Sequence, residues 1–128
     1  MQVVKKSTLP TIRLGDEVLA HIFAGDKNGV NASAFIVDCP PDTGPRRHTH
    51  PYEEIFIIVE GTVRLEADGE EYVATSEDIC IVPAGVPHTF RNAGTDRAKM
   101  VNIHAQAKVV TEFVDDPSSL PGYSYNHA

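Results

Sequence analysis

The chain has 128 residues, of which 41% are hydrophobic and 23% charged, and its formal net charge is −7. That length supports one domain whose core needs no disulfide staples, and the acidic balance argues against a phosphate backbone as partner. No cluster of Lys and Arg suits an anionic membrane surface, so neither nucleic acid nor membrane is expected among its partners.

From the N-terminus, MQVVKKSTLP carries two lysines with no apolar run behind them, so no signal peptide and no membrane span is expected. Strand-like runs then follow in order: TIRL (11–14), EVLAHIFAG (17–25), ASAFIVDC (32–39), EIFIIVEG (54–61), TVRLEADG (62–69), EEYVAT (70–75), DICIVP (78–83), HTFRN (88–92) and KMVNIHA (99–105). Turn chemistry separates most of them. Asp68-Gly69 is a hairpin signal, Gly61 divides two runs, and Pro-Pro and Asn-Gly pairs break others. No long helical period occurs. Many short strands with little room for helix read as a sandwich or a closed barrel. Past them, Val109, Val110, Phe113 and Val114 read either as a short helix or as an edge strand. From Asp115 the polar, Pro- and Gly-punctuated DDPSSLPGYSYNHA reads as a surface-hugging or mobile end. Cys39 and Cys80 lack CxxC spacing and read as free thiols of a reducing cytoplasm, although a bridge between them is compatible with the sequence.

Within this frame, HTHPYEE (48–54) places two histidines and a carboxylate in front of an apolar run. In an extended chain alternate side chains share a face, so His48, His50 and Glu54 fall together, continued by Phe56 and Ile58, while Glu53 points away. Buried imidazole and carboxylate groups need partners, and a divalent cation is one. Exposure on a surface loop is the other reading of this stretch taken alone. A second stretch, PAGVPHTFRN (83–92), puts His88 at the head of a strand-like run, entered through Pro83, Gly85 and Pro87.

Together the two stretches resemble the paired motifs of the cupin superfamily. The first is written G(X)5HXH(X)3-4E(X)6G and is matched by His48, His50, Glu54 and Gly61. The second, G(X)5PXG(X)2H(X)3N, is matched by Pro83, Gly85, His88 and Asn92. Two ordered motifs, each several positions deep, form a specific signal. Asp42 and Glu77 stand where both motifs begin with glycine, so turn geometry and strand entry are expected to depart there. Gly44 is a candidate to supply the first turn.

The resemblance implies an all-β cupin jelly-roll, or double-stranded β-helix, barrel over residues 17–105. Residues 1–16 form an N-terminal segment and 106–128 a C-terminal extension. It further implies a hairpin carrying His48, His50 and Glu54, with His88 brought across to complete a metal site. A homodimer is expected, in which residues 3–14 are candidates for a strand swapped into the neighbour. Three neutral imidazoles and one carboxylate suit one divalent transition metal, whether iron, manganese, nickel, copper or zinc, better than calcium or magnesium. On an octahedral ion these four ligands leave two positions for water, oxygen or a bidentate substrate. The residual positive charge would attract an enolate, carboxylate or hydroxy-ketone.

The expected function is a metal-dependent enzyme on a small oxygenated molecule, dioxygenase-like or isomerase/lyase-like. The alternatives are a non-catalytic module that senses a metal or small ligand, and a sugar epimerase-like cupin. Tyr52 and His104 are the catalytic candidates, each weighed against a packing or structural role. Arg46 and Arg47 either hold an anionic substrate at the barrel mouth or are solvated loop residues. Gly61, Pro83 and Gly85 read as turn residues, Asn92 as a backbone organiser, and Phe56, Ile58 and Phe90 as barrel filling. His21 and His127 have no supporting pattern.

Overall fold

The computed structural model describes residues 1–114 and 124–125, so most of the tail from Asp115, including His127, lies outside the described residues. The first sheet contains β1 (Thr11–Leu14), β2 (Glu17–Phe23), β3 (Ser33–Cys39), β5 (Glu54–Glu60), β8 (Ile79–Val82), β10 (Ala98–His104) and β12 (Ser124–Tyr125). Its strand order is β12-β1-β2-β3-β10-β5-β8. The second sheet, ordered β11-β4-β9-β6-β7, contains β4 (His48–Thr49), β6 (Val63–Ala67), β7 (Glu70–Ala74), β9 (His88–Asn92) and β11 (Glu112–Phe113). Every pairing is antiparallel. The expected all-β jelly roll is the architecture observed, and each expected strand is present within one or two residues of its expected start.

The period-2 alternation decides which side chains enter the core. On β3, Phe35, Val37 and Cys39 turn inward; on β5, Glu54, Phe56 and Ile58; on β10, Ala98, Met100, Asn102 and His104. Leu65 and Phe90 meet them from the second sheet. Outward positions at the middle of the first sheet are also apolar. Cross-strand partners line up as two rows, Ala34–Ile103–Ile55–Ile81 and Ile36–Val101–Ile57–Ile79. Ile79 and Ile81 at the β8 edge are each 67% exposed.

Turns follow residue chemistry. Asp68 and Gly69 both adopt positive φ, the backbone of a type I′ hairpin between β6 and β7. Asp42, at the position where the motif has glycine, takes φ 63, a left-handed conformation that Asp tolerates better than most residues. Gly44 is required for a different reason: a Cβ there would lie 1.8 Å from the Phe90 carbonyl oxygen. Near Glu77 no positive φ is needed, because the Asp78 carboxylate accepts the Thr75 N–H at 2.8 Å and closes the turn. Residues 112–113 form an edge strand on β4, which decides between the two readings of that segment. Cys39 and Cys80 are free thiols.

One expectation is corrected. His48, His50 and Glu54 do not ride one hairpin: β4 belongs to the second sheet and β5 to the first. Pro51 lacks the N–H that a continuing ladder needs, and the chain crosses between sheets over residues 50–53. The alternation of buried side chains nevertheless survives the crossing, through His50, Tyr52 and Glu54.

Candidate metal centre

The crossing places donors from both sheets opposite each other. His48 on β4 pairs directly with His88 on β9. His50 lies just beyond β4, and its carbonyl accepts the Gly85 N–H at 2.8 Å, which ties the second motif's turn to the first motif. Glu54 opens β5, flanked by Val82 of β8 and His104 of β10. His48, His50, Glu54 and His88 are all buried and offer ligand atoms within 4.8 Å of one another.

Backbone carbonyls orient the three rings. His48 Nδ1 meets the Arg46 carbonyl at 2.7 Å, His50 Nδ1 the Val110 carbonyl at 2.7 Å, and His88 Nδ1 the Val86 carbonyl at 2.8 Å. A carbonyl only accepts, so each Nδ1 carries a proton and each ring turns its Nε2 toward the centre. His50 Nε2 and His88 Nε2 both lie 3.0 Å from Glu54 Oε1. His50 Nε2 is buried and has no aligned hydrogen bond despite that closeness. In neutral rings those Nε2 atoms would be lone pairs, set as acceptors against the carboxylate. A cation between them removes the repulsion, and one proton cannot serve four acceptors. This donor set fits a divalent transition ion.

The electrostatics agree. Burial pushes the Glu54 carboxyl up, but the His104, His50 and His88 rings beside it outweigh burial and hold the group well below the usual carboxylate range. Burial, reinforced by neighbouring His88, lowers His48 to about 3, so it stays neutral. Burial raises the Tyr52 phenol to about 12, partly opposed by its bond with the Val110 backbone.

The two catalytic candidates also meet here. Tyr52 Oη lies 2.6 Å from His104 Nδ1, and His104 Nε2 lies 3.5 Å from Glu54 Oε2. His104 thus bridges the two groups, its Nδ1 facing the Tyr52 hydroxyl and its Nε2 facing Glu54. The Glu54 oxygens are therefore distinguished: Oε1 faces His50 and His88, and Oε2 faces His104. The loop arginines do not enter the site. Arg46 stacks over Phe113 at 4.6 Å, and Arg47 pairs with Glu66. Asn92 organises backbone as expected, donating to the Cys39 and Asp96 carbonyls at 3.0 and 2.8 Å.

Beside the donors lies a cavity of about 10 Å³, walled by His48, Glu54 and His104 on one side and Phe35, Val37 and Phe90 on another. That is room for about one water-sized group. A cleft of about 550 Å³ lies elsewhere, between the N-terminal segment at Val4 and Leu9 and the outward residues Phe23, Ile36 and Val101. It touches none of the donors.

Two contributors escaped the sequence reading. The Val110 carbonyl that orients His50 lies outside both motifs and is backbone, so no residue type signals it. Asn102, 2% exposed, lines the cavity. Its place two residues before His104 on one strand was the available signal.

Residues 35–104 match the family model described as the Cupin domain. The chain is 38% identical over 55 residues to polyketide synthase CurC of Streptomyces cyaneus, covering 42% of this chain and 36% of that protein. It is 28% identical over 80 residues to the HTH-type transcriptional regulator PuuR of Escherichia coli K12, covering 62% and 43%. It is 31% identical over 82 residues to quercetin 2,3-dioxygenase of Bacillus subtilis 168, covering 63% and 23%. The chain thus spans less than half the length of each of these relatives. Among solved structures, a cupin-like protein from Thermotoga maritima superposes with a TM-score of 0.70 at 20% identity, covering 83% of this chain and 85% of that one.

Proposed function

This chain belongs to the cupin domain family, and from that premise we propose that it is a metal-dependent enzyme acting on a small oxygenated organic molecule. His48, His50, Glu54 and His88 would hold one divalent transition metal ion. The observation that carries this reading is the set of three carbonyl-fixed imidazoles whose Nε2 atoms converge beside a buried, ionised carboxylate. The bound ion would supply Lewis-acid chemistry or, if redox-active, oxygen chemistry.

The chain's own residues supply orientation and protons. The Arg46, Val110 and Val86 carbonyls keep the ligand rings in one tautomer. His104 would fix Glu54 Oε2, and its position at the cavity wall would let it hold or move a proton at Nε2. Tyr52 would act through His104 as a positioning residue. A dioxygenase-like reaction draws support from the likeness to quercetin 2,3-dioxygenase, and an isomerase- or lyase-like reaction needs only the ion's Lewis acidity.

A second reading, a non-catalytic module that senses a metal or small ligand, is favoured by the likeness to PuuR and by the small cavity. The intact quartet weighs against a sugar epimerase-like role. The reading extends to a cytoplasmic homodimer: the free thiols suit a reducing compartment, and the two outward apolar rows suit a second copy of the same sheet.

Elemental mass spectrometry on protein purified without chelator tests the metal reading. Near one equivalent of a transition metal is expected in the wild type and in His104→Ala, and little in His50→Ala or His88→Ala. Full retention in both ligand variants would overturn the assignment. Oxygen uptake or turnover with small enols and hydroxy acids then separates the enzyme from the sensor.

A further inference from the structure

Asn102 sits on the inward face of β10, between Met100 and His104, with Phe35 and Phe56 as its cross-strand neighbours. It is 2% exposed, and its side-chain oxygen is buried without a hydrogen-bond partner among the described residues. Burying an amide oxygen without a donor is costly, so such atoms are rare unless something else supplies the donor. The cavity that Asn102 lines is shared with His48, Glu54 and His104, and its remaining wall is apolar. That cavity is a space beside the amide in which a donor can sit.

We infer that Asn102 is a substrate-binding residue that reads a hydroxyl group on a compact ligand of the metal centre. The inference rests on the proposed metal site and names the substrate class for it. An oxyanion of the ligand would sit at the cationic centre. Its hydroxyl would enter the cavity of about 10 Å³ and bond to the Asn102 amide. A hydroxyl both donates and accepts, so it satisfies the amide in either orientation of its oxygen and nitrogen. The cavity admits a group the size of one water, which excludes an aromatic ring and selects short hydroxy acids and hydroxy-carbonyl compounds. Phe35, Val37 and Phe90 offer no polar contact, so beside the His48, Glu54 and His104 groups of the metal centre Asn102 is the polar side chain that lines this space.

The test compares glycolate with acetate, which differ by one hydroxyl, on cobalt(II)-loaded protein. Binding is followed by the cobalt visible bands, independently of turnover. The hydroxyl can also touch the ion, so the quantity that matters is how the glycolate-over-acetate preference changes with the variant. In Asn102→Leu this preference should fall about tenfold, equivalent to about 1.4 kcal/mol, with acetate affinity and cobalt content unchanged. Asn102→Ala should give the same loss and serves if the leucine variant does not fold. A preference kept within about twofold in the folded variant overturns the inference while leaving the metal site standing. Cobalt uptake by the wild type with no spectral response to glycolate also overturns the inference alone. Failure of the wild type to take up cobalt overturns the metal reading, and this inference with it.

Discussion

Replacing His48 with glutamine is expected to flatten the acid side of the stability profile of the chelator-treated protein. His48 is 4% exposed, and burial, reinforced by His88, lowers its pKa from 6.5 to about 3. The folded chain therefore refuses a proton that the unfolded chain accepts. Between pH 6.5 and about 3 the unfolded state binds more protons, so this share of stability is complete above 6.5 and is lost as pH falls through the window. Each pH unit removes about 1.4 kcal/mol, so the descent to about pH 5 removes about 2 kcal/mol through this one ring. Glu54 acts in a separate, more acidic window. Its pKa is held well below 4.5, so its contribution is present above 4.5 and disappears only as pH falls through the lower folded value. Urea unfolding followed by circular dichroism, in chelator, at several pH values from neutral to about 5 measures the difference. The wild type should lose about 2 kcal/mol more than His48→Gln over that range. Parallel profiles would mean that folded His48 takes up its proton normally, and the acceptor-only state of its Nε2 would be refuted.

Gly44→Ala should cost more than about 3 kcal/mol or abolish folding, since the new Cβ meets the Phe90 carbonyl oxygen at 1.8 Å; a melting temperature near that of the wild type would contradict the close approach. Tyr52→Phe removes the hydroxyl bonded to His104 and to the Val110 N–H, and should destabilise by about 1–2 kcal/mol while metal content is unchanged. Light scattering should give twice the chain mass for the wild type and a monomer for Ile81→Asp. An unchanged dimer in that variant would move the interface off the outward apolar rows.

The strands and the clustering of His48, His50, Glu54 and His88 were legible because both are written in side chains. Alternation marks β3, β5 and β10, and the spacing of His48, His50 and Glu54 survives as burial parity even though Pro51 sends the chain from one sheet to the other. That sheet change was not legible, because parity records which way a side chain points and not which ladder its backbone joins. The glycine departures were visible, but their resolution depended on backbone angles: Asp42 accepts the left-handed conformation, while Asp78 closes its turn by side-chain bonding. The orienting carbonyls of Arg46, Val86 and Val110 carry no residue signature at all. Asn102 was hidden for another reason. Its place on the strand was readable, but its unpartnered oxygen shows only in the packed interior.

The Val110 carbonyl also bears on the order in which the molecule is assembled. It lies 60 residues beyond the ring it orients, and the Thr49–Glu112 and His48–Phe113 pairs close around the same place. Bringing such distant segments together costs chain entropy before any contact rewards it, so these contacts belong to the late stages of folding. During synthesis His48 and His50 leave the ribosome well before Val110 does. Until Val110 docks, the His50 Nδ1 lacks the carbonyl that lies 2.7 Å from it in the folded chain. On the proposed metal reading, metallation would accordingly follow folding, with the ion entering a barrel whose last segment is already in place.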